Sequence, residues 1–413
     1  MSRLRLLALS FLLAACQALP VQRPVFRSQA RALPNQTIVH LRPGTNAPEY
    51  ARQHGLVLAL SIGLDMYLLR GLAQLATLKR DPHTLWAEPD TRLELPPLNE
   101  ALAPAAQPRP GQRGALPDDP LLPAQYGYSI TGTDRIWQTQ PGRPEVIVAV
   151  VDSGIDGSHP EFQGQLLPGF DFTPKVPVPG GNVDGYGHGT HVAGVIGARS
   201  NNGIGIAGIA PGCKLLPVRI FDEFGHSSEG ISAAAVIWAV DHGAKVINAS
   251  WGSPMEGEAS KAAYQYAIQK DVVFVAAVGN SGSNDTMYYP GASEEAIGVA
   301  ATTDIDTWGS FSTYGDWVDL AAPGKGILST FPLAKSGNAR GSGYRIMEGT
   351  SMAAPFVTAA AALVRSQHLD WTQAQVRAQL ERTAKDVIMS GPDPYAGHGR
   401  VDIARAVEEV GSR

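Results

Sequence analysis

Residues 146–154 read VIVAVVDSG, six apolar residues followed by an aspartate and a turn. An uninterrupted apolar run of this length is typical of a strand buried on both faces of a parallel sheet. Similar runs occur in KLLPVRIF (214–221), AKVINAS (244–250) and DVVFVAAVG (271–279). Helices are expected between the runs, at 188–198, 229–242 and 258–270. Strand alternating with helix predicts an α/β domain, with a mostly parallel central sheet and helices on both faces.

The α/β pattern occupies residues 118–413, and a different pattern precedes it. Residues 35–95 show a βαββαβ-like order of short strands and helices, which predicts a small α+β domain. Between the two, residues 96–117 are rich in Pro and Ala without apolar periodicity, and an exposed linker is expected there.

The first sixteen residues, MSRLRLLALSFLLAAC, have a basic start, a short apolar stretch and small residues before Cys16. This is a secretory signal that is too short for a membrane span. Its end resembles the lipobox of bacterial lipoproteins, which implies lipidation of Cys16; the alternative is an ordinary signal peptide with a chance cysteine. Residues 17–34 are polar and contain proline, as expected of a spacer. The sequence therefore predicts an extracellular or cell-envelope protein, with membrane contact only through the lipid.

Composition excludes some classes of protein. Of the 413 residues, 44% are hydrophobic and 17% charged, which fits a globular protein with a large core. The net charge is −5 and no basic block occurs, so nucleic acid is not an expected partner. Only Cys213 remains besides Cys16, so no internal disulfide is expected.

Four polar residues follow apolar runs or open predicted helices. Asp152 and Asn280 lie at strand ends, and His188 and Ser351 lie at helix starts. Ser351, in EGTSMAAP, could be a helix N-cap or a nucleophile exposed to the helix dipole. Active sites of open α/β sheets collect at the carboxyl ends of the strands. Together these residues supply the nucleophile, base, orienting acid and oxyanion donor that acyl transfer needs.

The segments VAVVDSGID, HGTHVAGVIG, AAVGNSG and GTSMAAPFVTAAAAL resemble the four signatures of subtilisin-like serine proteases. The chain order Asp, His, Ser is that of the family, and the resemblance covers about residues 119–410. Residues 35–95 resemble the family's inhibitory propeptide more loosely, by element order and the opening TIVHL.

The resemblance implies a role for each residue of the constellation. Ser351 would attack the peptide carbonyl, His188 would carry the proton, and Asp152 would orient the imidazole. The Asn280 side chain and the backbone N–H of Ser351 would bind the oxyanion. The implied activity is that of a secreted serine endopeptidase, made as a zymogen that removes its own propeptide by a cut within 96–117. The propeptide would act as an intramolecular inhibitor, protein or peptide substrates are the expected partners, and a monomer is expected.

The resemblance also implies where substrate lies. An extended peptide would pair with Ser250-Trp251-Gly252 on one side and Phe224-Gly225-His226 on the other. Residues 276–279, among them Ala277 and Gly279, would wall a pocket with room for a sizeable apolar side chain. Trp251 is larger than the residue usual at its place, so it alters the expected pocket shape.

A structural calcium ion is implied by RSNNGIGIAG, which resembles the family's calcium loop. The oxygen ligands would be the Asn202 side chain and the Ser200, Ile204 and Ile206 carbonyls, with carboxylates from Asp119 and Glu161. Glu161 replaces the family's usual aspartate, and the alternative reading of the loop is a plain Asn-Gly turn. No organic cofactor is expected.

Three other functions fit the sequence less well. A zinc site on His188 and His191 lacks an evident third ligand. A binding protein on an inactive protease scaffold should have lost a catalytic residue, and none is missing. An α/β-hydrolase esterase needs the chain order Ser, acid, His, and neither His368 nor His398 suits the last place.

Overall fold

The computed structural model describes residues 31–104, 116–173, 177–336 and 343–409. The predicted signal, Cys16, most of the spacer and residues 105–115 of the linker lie outside these ranges. In the part of the chain that is described, no helix is both long and apolar enough to span a membrane.

The N-terminal unit is an antiparallel sheet with two helices, in the predicted βαββαβ order. Its strands and helices are β1 Ala32–Leu41, α1 Ala47–Gln53, β2 Val57–Gly63, β3 Met66–Arg70, α2 Leu75–Leu78 and β4 Thr84–Glu94. The strand order is β2-β3-β1-β4. Since β1 begins at Ala32, the sheet takes in the last residues of the predicted spacer.

Twelve strands follow in the remainder of the described residues. They are β5 Glu100–Leu102, β6 Ile147–Asp152, β7 Gly169–Asp171, β8 Val178–Gly180, β9 Lys214–Arg219, β10 His226–Ser228, β11 Ala244–Ala249, β12 Val273–Ala277, β13 Ile297–Thr302, β14 Leu320–Pro323, β15 Ile327–Thr330 and β16 Tyr344–Met347. Eight of them form the central sheet, in the order β14-β13-β12-β11-β6-β9-β7-β8. All its pairs are parallel except β7–β8, so the predicted mostly parallel sheet is confirmed.

Nine helices accompany these strands in the described ranges. They are α3 Tyr126–Ile130, α4 Thr133–Ile136, α5 His188–Gly197, α6 Glu229–Asp241, α7 Glu258–Gln269, α8 Leu333–Ser336, α9 Thr350–Gln367, α10 Gln373–Thr383 and α11 Ile403–Glu408. Helices α5, α9, α10 and α11 pack on one face of the sheet, and α6 and α7 pack on the other. The predicted helix-sheet-helix layering is therefore confirmed.

Helix ends follow the local chemistry of the sequence. Thr372 forms a capping box with Gln375 at the start of α10, and the Asp402 side chain accepts from Arg405 N–H at the start of α11. Helix α9 is buried from Thr350 to Ser366, as its apolar sequence requires.

Part of the linker is more ordered than the sequence indicates. Strand β5 pairs antiparallel with β16, which in turn pairs with β15. All three β5 side chains are exposed, so the strand is held by its backbone and no apolar pattern marks it. Sequence analysis therefore missed it.

Candidate active site

Three of the predicted residues reach the same edge of the central sheet because their strands are parallel neighbours. Strand β6 ends at Asp152, β11 leads into Ser250, and β12 leads into Asn280. Helices α5 and α9, which begin at His188 and Thr350, pack against each other. The sheet order thus turns residues distant in sequence into one constellation.

Asp152 and His188 form a buried pair. His188 Nδ1 lies 2.9 and 3.0 Å from the two carboxylate oxygens of Asp152, and both side chains are almost inaccessible. Ser153 N–H also donates to Asp152 Oδ1, at 2.7 Å. Burial lowers the pKa of His188, but the carboxylates of Asp152 and, to a smaller extent, Asp184 together offset this, so the pKa is raised. The pair leaves Nε2 as the imidazole nitrogen available for proton transfer.

Ser351 is the second residue of α9, and it is not the cap. The N-cap is Gly349, whose φ of 148° favours glycine, and no side chain caps the helix there. The N-cap reading of Ser351 is therefore wrong. Ser351 Oγ donates to the backbone oxygen of Ser250 at 3.0 Å, and Ser250 Oγ donates to Ser351 O at 2.8 Å. These two bonds hold the end of β11 against the start of α9.

The Asn280 amide has a fixed orientation. Its Oδ1 accepts from Thr350 N–H at 2.9 Å and from Thr350 Oγ1 at 3.0 Å. With the oxygen engaged, the NH₂ group remains free to donate toward a ligand. Asn280 and Ser351 line the same cleft, together with Ser250, Trp251, Gly252, Ala277 and Gly279.

The cleft has a volume of about 910 Å³ and includes a residue that sequence analysis missed. Tyr288 lies on its wall, and a Cβ at Gly279 would come within 2.4 Å of its ring. Glycine is therefore required at position 279 for two reasons: its φ is 100°, and the Tyr288 ring leaves no room for a side chain. Trp251 is mostly buried, and its indole N–H donates to Val151 O at 2.7 Å. Its ring is thereby anchored to the strand that carries Asp152.

The N-terminal unit reaches into this cleft. Strand β4 pairs antiparallel with β10, opposing Glu94 to His226. Beyond the strand, Leu95 N–H donates to Gly225 O at 2.9 Å, and Tyr186 OH donates to Pro96 O at 2.6 Å. Leu95, Pro96 and Pro97 line the cleft with Ser351. Phe224 is largely exposed beside them.

Two carboxylates of the predicted calcium ligands are fully buried. Asp119 accepts from the backbone N–H groups of Asn201 and Asn202. Glu161 accepts from Ile206 N–H, Asn202 Nδ2 and Tyr344 OH. Burial raises the pKa of Asp119 to about 6 and that of Glu161 to about 7; the charge of Asp118 further raises the pKa of Asp119, and the charge of Asp119 that of Glu161. Among the described residues neither carboxylate has a cationic partner, so the pair fits a bound divalent cation.

The other predicted ligands lie on the same loop. Asn202 Oδ1 accepts from Ile204 N–H, while Ser200 Oγ donates to Gly208 O. The bond from Ile204 N–H to Asn202 Oδ1 is an Asx turn around Asn202-Gly203, and Gly203 has a positive φ. The turn is therefore compatible with the predicted cation site in the same loop.

His191 serves the packing of α5. Its Nε2 lies 3.0 and 3.1 Å from the backbone oxygens of Ile327 and Arg345, and burial lowers its pKa to about 3. Within the described ranges, no three His, Cys, Asp or Glu side chains are grouped as metal ligands.

Sequence analysis also missed Asp184, a buried carboxylate four residues before His188. The only signal was an acid in a glycine-rich loop that opens a helix.

A buried Asp–His pair, a serine at a helix start and an oriented amide are the groups that a hydrolase with a nucleophilic serine needs. The chain belongs to the subtilase family, whose model matches residues 143–399. It is a serine endopeptidase of this family.

Two relatives are about 40% identical to this chain. The chain is 40% identical over 283 residues to "Thermophilic serine proteinase" of Bacillus sp. (strain AK1), covering 68% of this chain and 67% of the relative. It is 39% identical over 293 residues to "Thermitase" of Thermoactinomyces vulgaris, covering 71% of this chain and 99% of the relative.

A solved structure covers more of the chain, including the N-terminal region. It is fervidolysin from Fervidobacterium pennivorans, described as a keratinolytic enzyme related to subtilisin, with a TM-score of 0.78 and 30% identity. The match covers 91% of this chain and 61% of that one.

Proposed function

We propose that this endopeptidase cleaves peptide bonds through Asp152, His188 and Ser351, and that it is made as an inhibited precursor. The observation that carries the proposal is the buried Asp152–His188 pair: His188 begins α5, and α5 packs against α9, the helix that carries Ser351. Each group has the chemistry that acyl transfer requires.

Proton transfer follows from the hydrogen bonds of His188. Because Nδ1 is bonded to Asp152, the other nitrogen, Nε2, takes the Ser351 proton as the hydroxyl attacks the carbonyl. The Asp152 carboxylate stabilises the imidazolium that forms, in line with the raised pKa of His188. The same proton then goes to the leaving amine.

The oxyanion is stabilised by donors that are already oriented. Asn280 Oδ1 is held by Thr350, which directs the NH₂ group into the cleft. The Ser351 N–H at the first turn of α9 is the second donor, and the helix dipole favours negative charge there. Such donors lower the barrier without reorganising during the reaction.

Substrate binds by strand addition, with Gly225 on one side and residues 250–252 on the other. The β4–β10 pairing supports this mode, because the chain's own β4 and Leu95 use the same backbone groups. Tyr288 and Ala277 wall the adjacent pocket and favour an apolar substrate side chain.

The N-terminal unit is the propeptide and inhibitor of this precursor. It places Leu95, Pro96 and Pro97 in the cleft, where a substrate would lie. The Leu95–Pro96 and Pro96–Pro97 bonds have prolyl nitrogens, which carry no N–H and restrict the backbone. These two bonds are therefore poorly suited to cleavage, and autocatalytic processing falls later in residues 96–117.

Asp119, Glu161, Asn202 and the carbonyls of Ser200, Ile204 and Ile206 would hold a calcium ion. The cation would neutralise two buried carboxylates and tie the loop at Asn202 to the segments carrying Asp119 and Glu161. Its contribution is to stability, since these residues lie outside the catalytic constellation.

Residues 1–16 direct export, with lipidation at Cys16 as the anchor and an extracellular or cell-envelope location as the result. The mature enzyme works as a monomer on protein or peptide substrates.

The test is to express the full chain and its Ser351→Ala variant side by side, with calcium present. Chain mass and cleavage of a denatured protein are followed. The wild type should shorten within residues 96–117 and cleave, while Ser351→Ala stays full length with activity reduced by about 10⁶-fold. If both chains shorten alike and neither cleaves, the catalytic proposal fails and a binding scaffold becomes the better account.

A further inference from the structure

Asp184 is a buried carboxylate in the loop between β8 and α5. Its Oδ1 accepts from Ser153 Oγ at 2.9 Å, Tyr186 N–H at 3.0 Å and Gly187 N–H at 2.7 Å. Its Oδ2 accepts from Thr190 N–H at 2.9 Å and Thr190 Oγ1 at 2.6 Å. Five donors to one carboxylate are more than a helix cap requires.

These bonds tie together the two halves of the Asp152–His188 pair. Ser153, next to Asp152, donates its hydroxyl to Asp184 and accepts from the N–H of Gly189 at 2.9 Å. Gly187 and Thr190, on either side of His188, donate to Asp184 directly. The end of β6 and the first turn of α5 are thus fastened to one carboxylate.

Asp184 is built to carry a negative charge. All five groups donate to the carboxylate, and three of them are backbone N–H groups, which cannot accept a proton from a neutral carboxyl group. Burial raises the pKa of Asp184, and the donated hydrogen bonds act against that rise. No Lys or Arg forms an ion pair with Asp184 in the described ranges.

We propose that Asp184 is a positioning residue for peptide hydrolysis: it holds His188 in register with Asp152 and stabilises the imidazolium with a second negative charge. This inference rests on the proposed role of His188 as the base. Asp184 touches neither substrate nor the reacting atoms, so it acts through His188.

The charged and titratable groups around His188 allow the sign of the pH effect to be worked out. Asp152 and Asp184 both raise the pKa of His188, while burial opposes them. His191, one turn along α5, is neutral at working pH because burial lowers its pKa to about 3. Removing the charge of Asp184 therefore lowers the pKa of His188. The acidic limb of the kcat/KM profile, which reports the base of the free enzyme, should move to lower pH.

The experiment compares matured wild type with four variants, Asp184→Asn, Ser153→Ala, Asp156→Asn and His188→Ala, on a short chromogenic peptide across pH 5 to 9. Asp184→Asn removes the charge and presents an NH₂ group to donors. It should lower kcat by about 10- to 100-fold with little change in KM, and shift the acidic limb down by about 1 pH unit. Ser153→Ala removes one tie but keeps the charge. It should lower kcat by less than Asp184→Asn does and leave the limb in place.

Asp156→Asn is the matched control. Asp156 lies in the loop after β6 and bonds Ser158 and Leu333, and its charge acts on His159. Its variant should keep the wild-type kcat and the wild-type limb.

Several outcomes would overturn the inference. If Asp184→Asn has the wild-type kcat and the wild-type acidic limb of the kcat/KM profile, the inference is wrong. The inference is also wrong if kcat falls and the acidic limb does not move, because that result indicates a structural role alone. If Asp184→Asn does not fold, Ser153→Ala decides: an unchanged kcat overturns the positioning role, and a lowered kcat at constant KM supports it. A His188→Ala variant separates this inference from the proposed function, because activity that survives in His188→Ala contradicts the base itself.

Discussion

The N-terminal unit and the protease domain bury their apolar side chains in different ways. The protease domain encloses a core on one face of its sheet that α5, α9, α10 and α11 cover. The N-terminal unit has a core of its own with only nine buried residues, around Val39, Tyr50 and Leu69. Six more of its side chains belong to a core that they share with α6, α7 and the sheet of the protease domain: Ile38, Ile62, Met66, Leu68, Leu93 and Leu95.

The difference shows that the N-terminal unit is completed by its partner, whereas the core under α5, α9, α10 and α11 is built without buried side chains from the N-terminal unit. The contact also satisfies the helices of the protease domain. Glu88 accepts from the first N–H groups of α7, and Asp90 accepts from Gly230 N–H in α6. A helix N-terminus has free donors and a positive dipole end, so carboxylates from β4 stabilise it.

The largest effect expected from this asymmetry concerns folding of residues 31–95 alone. With six apolar side chains exposed, the isolated unit should be largely unfolded at 25 °C, because small domains have little stability to lose. Circular dichroism should show native signal only after folded Ser351→Ala protease domain is added. A cooperative thermal transition of the isolated unit would contradict the claim that it needs the protease domain to fold.

Catalysis should reside wholly in the protease domain. Asn280→Ala should lower kcat by about 10²–10³-fold, because it removes an oxyanion donor. Asn280→Asp is the matched variant: it keeps an acceptor for Thr350 and loses the NH₂ donor, so it should be at least as impaired. A near-normal Asn280→Asp enzyme would show that Asn280 acts only by holding Thr350. Circular dichroism and the thermal midpoint confirm that each variant is folded.

Calcium should stabilise the protease domain and leave the N-terminal unit unaffected. Chelation should lower the thermal midpoint of the matured enzyme by about 5–10 °C, the size expected when a ligand at about 100 times its Kd is removed. Glu161→Gln keeps the shape of the side chain and loses its charge, so its midpoint should respond less to the chelator. Equal responses of wild type and Glu161→Gln would place the cation elsewhere.

The smallest effect expected is on the pH dependence of the contact between the regions. Burial raises the pKa of Asp90 from 3.8 to about 6 and that of Glu229 from 4.5 to about 7, with nearby Glu88 raising both further. A carboxyl group whose pKa is raised in the folded state stabilises that state fully at pH values below its unfolded-state pKa. This stability is lost as the pH rises through the folded-state pKa, which is about 6 for Asp90 and about 7 for Glu229. In full-length Ser351→Ala, the thermal midpoint should therefore fall between pH 5 and pH 8.

The matched variants for the pH test are Asp90→Asn and Glu229→Gln. Asp90 Oδ2 and Glu229 Oε1 are buried and have no hydrogen-bond partner in the described residues, so an amide at either place removes repulsion. Glu258 and Lys79, the other charged groups that face Glu88, are unchanged. Each variant should flatten the fall in midpoint; a slope identical to that of Ser351→Ala would contradict the role of this pair.

Much of the fold could be predicted from local signals. Apolar runs such as residues 146–151 marked the buried strands, and Thr372 and Asp402 marked helix starts where the structure has them. The predicted fold class and family were confirmed. They could be predicted because apolar periodicity, the length of apolar runs and helix capping all depend on residues that are neighbours in sequence. The site roles and domain boundaries stay predictions that the experiments above test.

The sequence by itself determined the α/β layering, the order of the four motifs and the choice of Asp152, His188, Asn280 and Ser351 as candidates. Only the tertiary structure decided that Gly349 caps α9, that β5 joins β16, and that Trp251 is anchored to Val151. It alone revealed Asp184 between Ser153 and Thr190, and the acids of β4 at the starts of α6 and α7. The physical reason is the sequence distance between interacting residues: a strand or a helix cap depends on residues close together in the sequence. A buried carboxylate gains its donors, and its pKa, only when distant segments close around it.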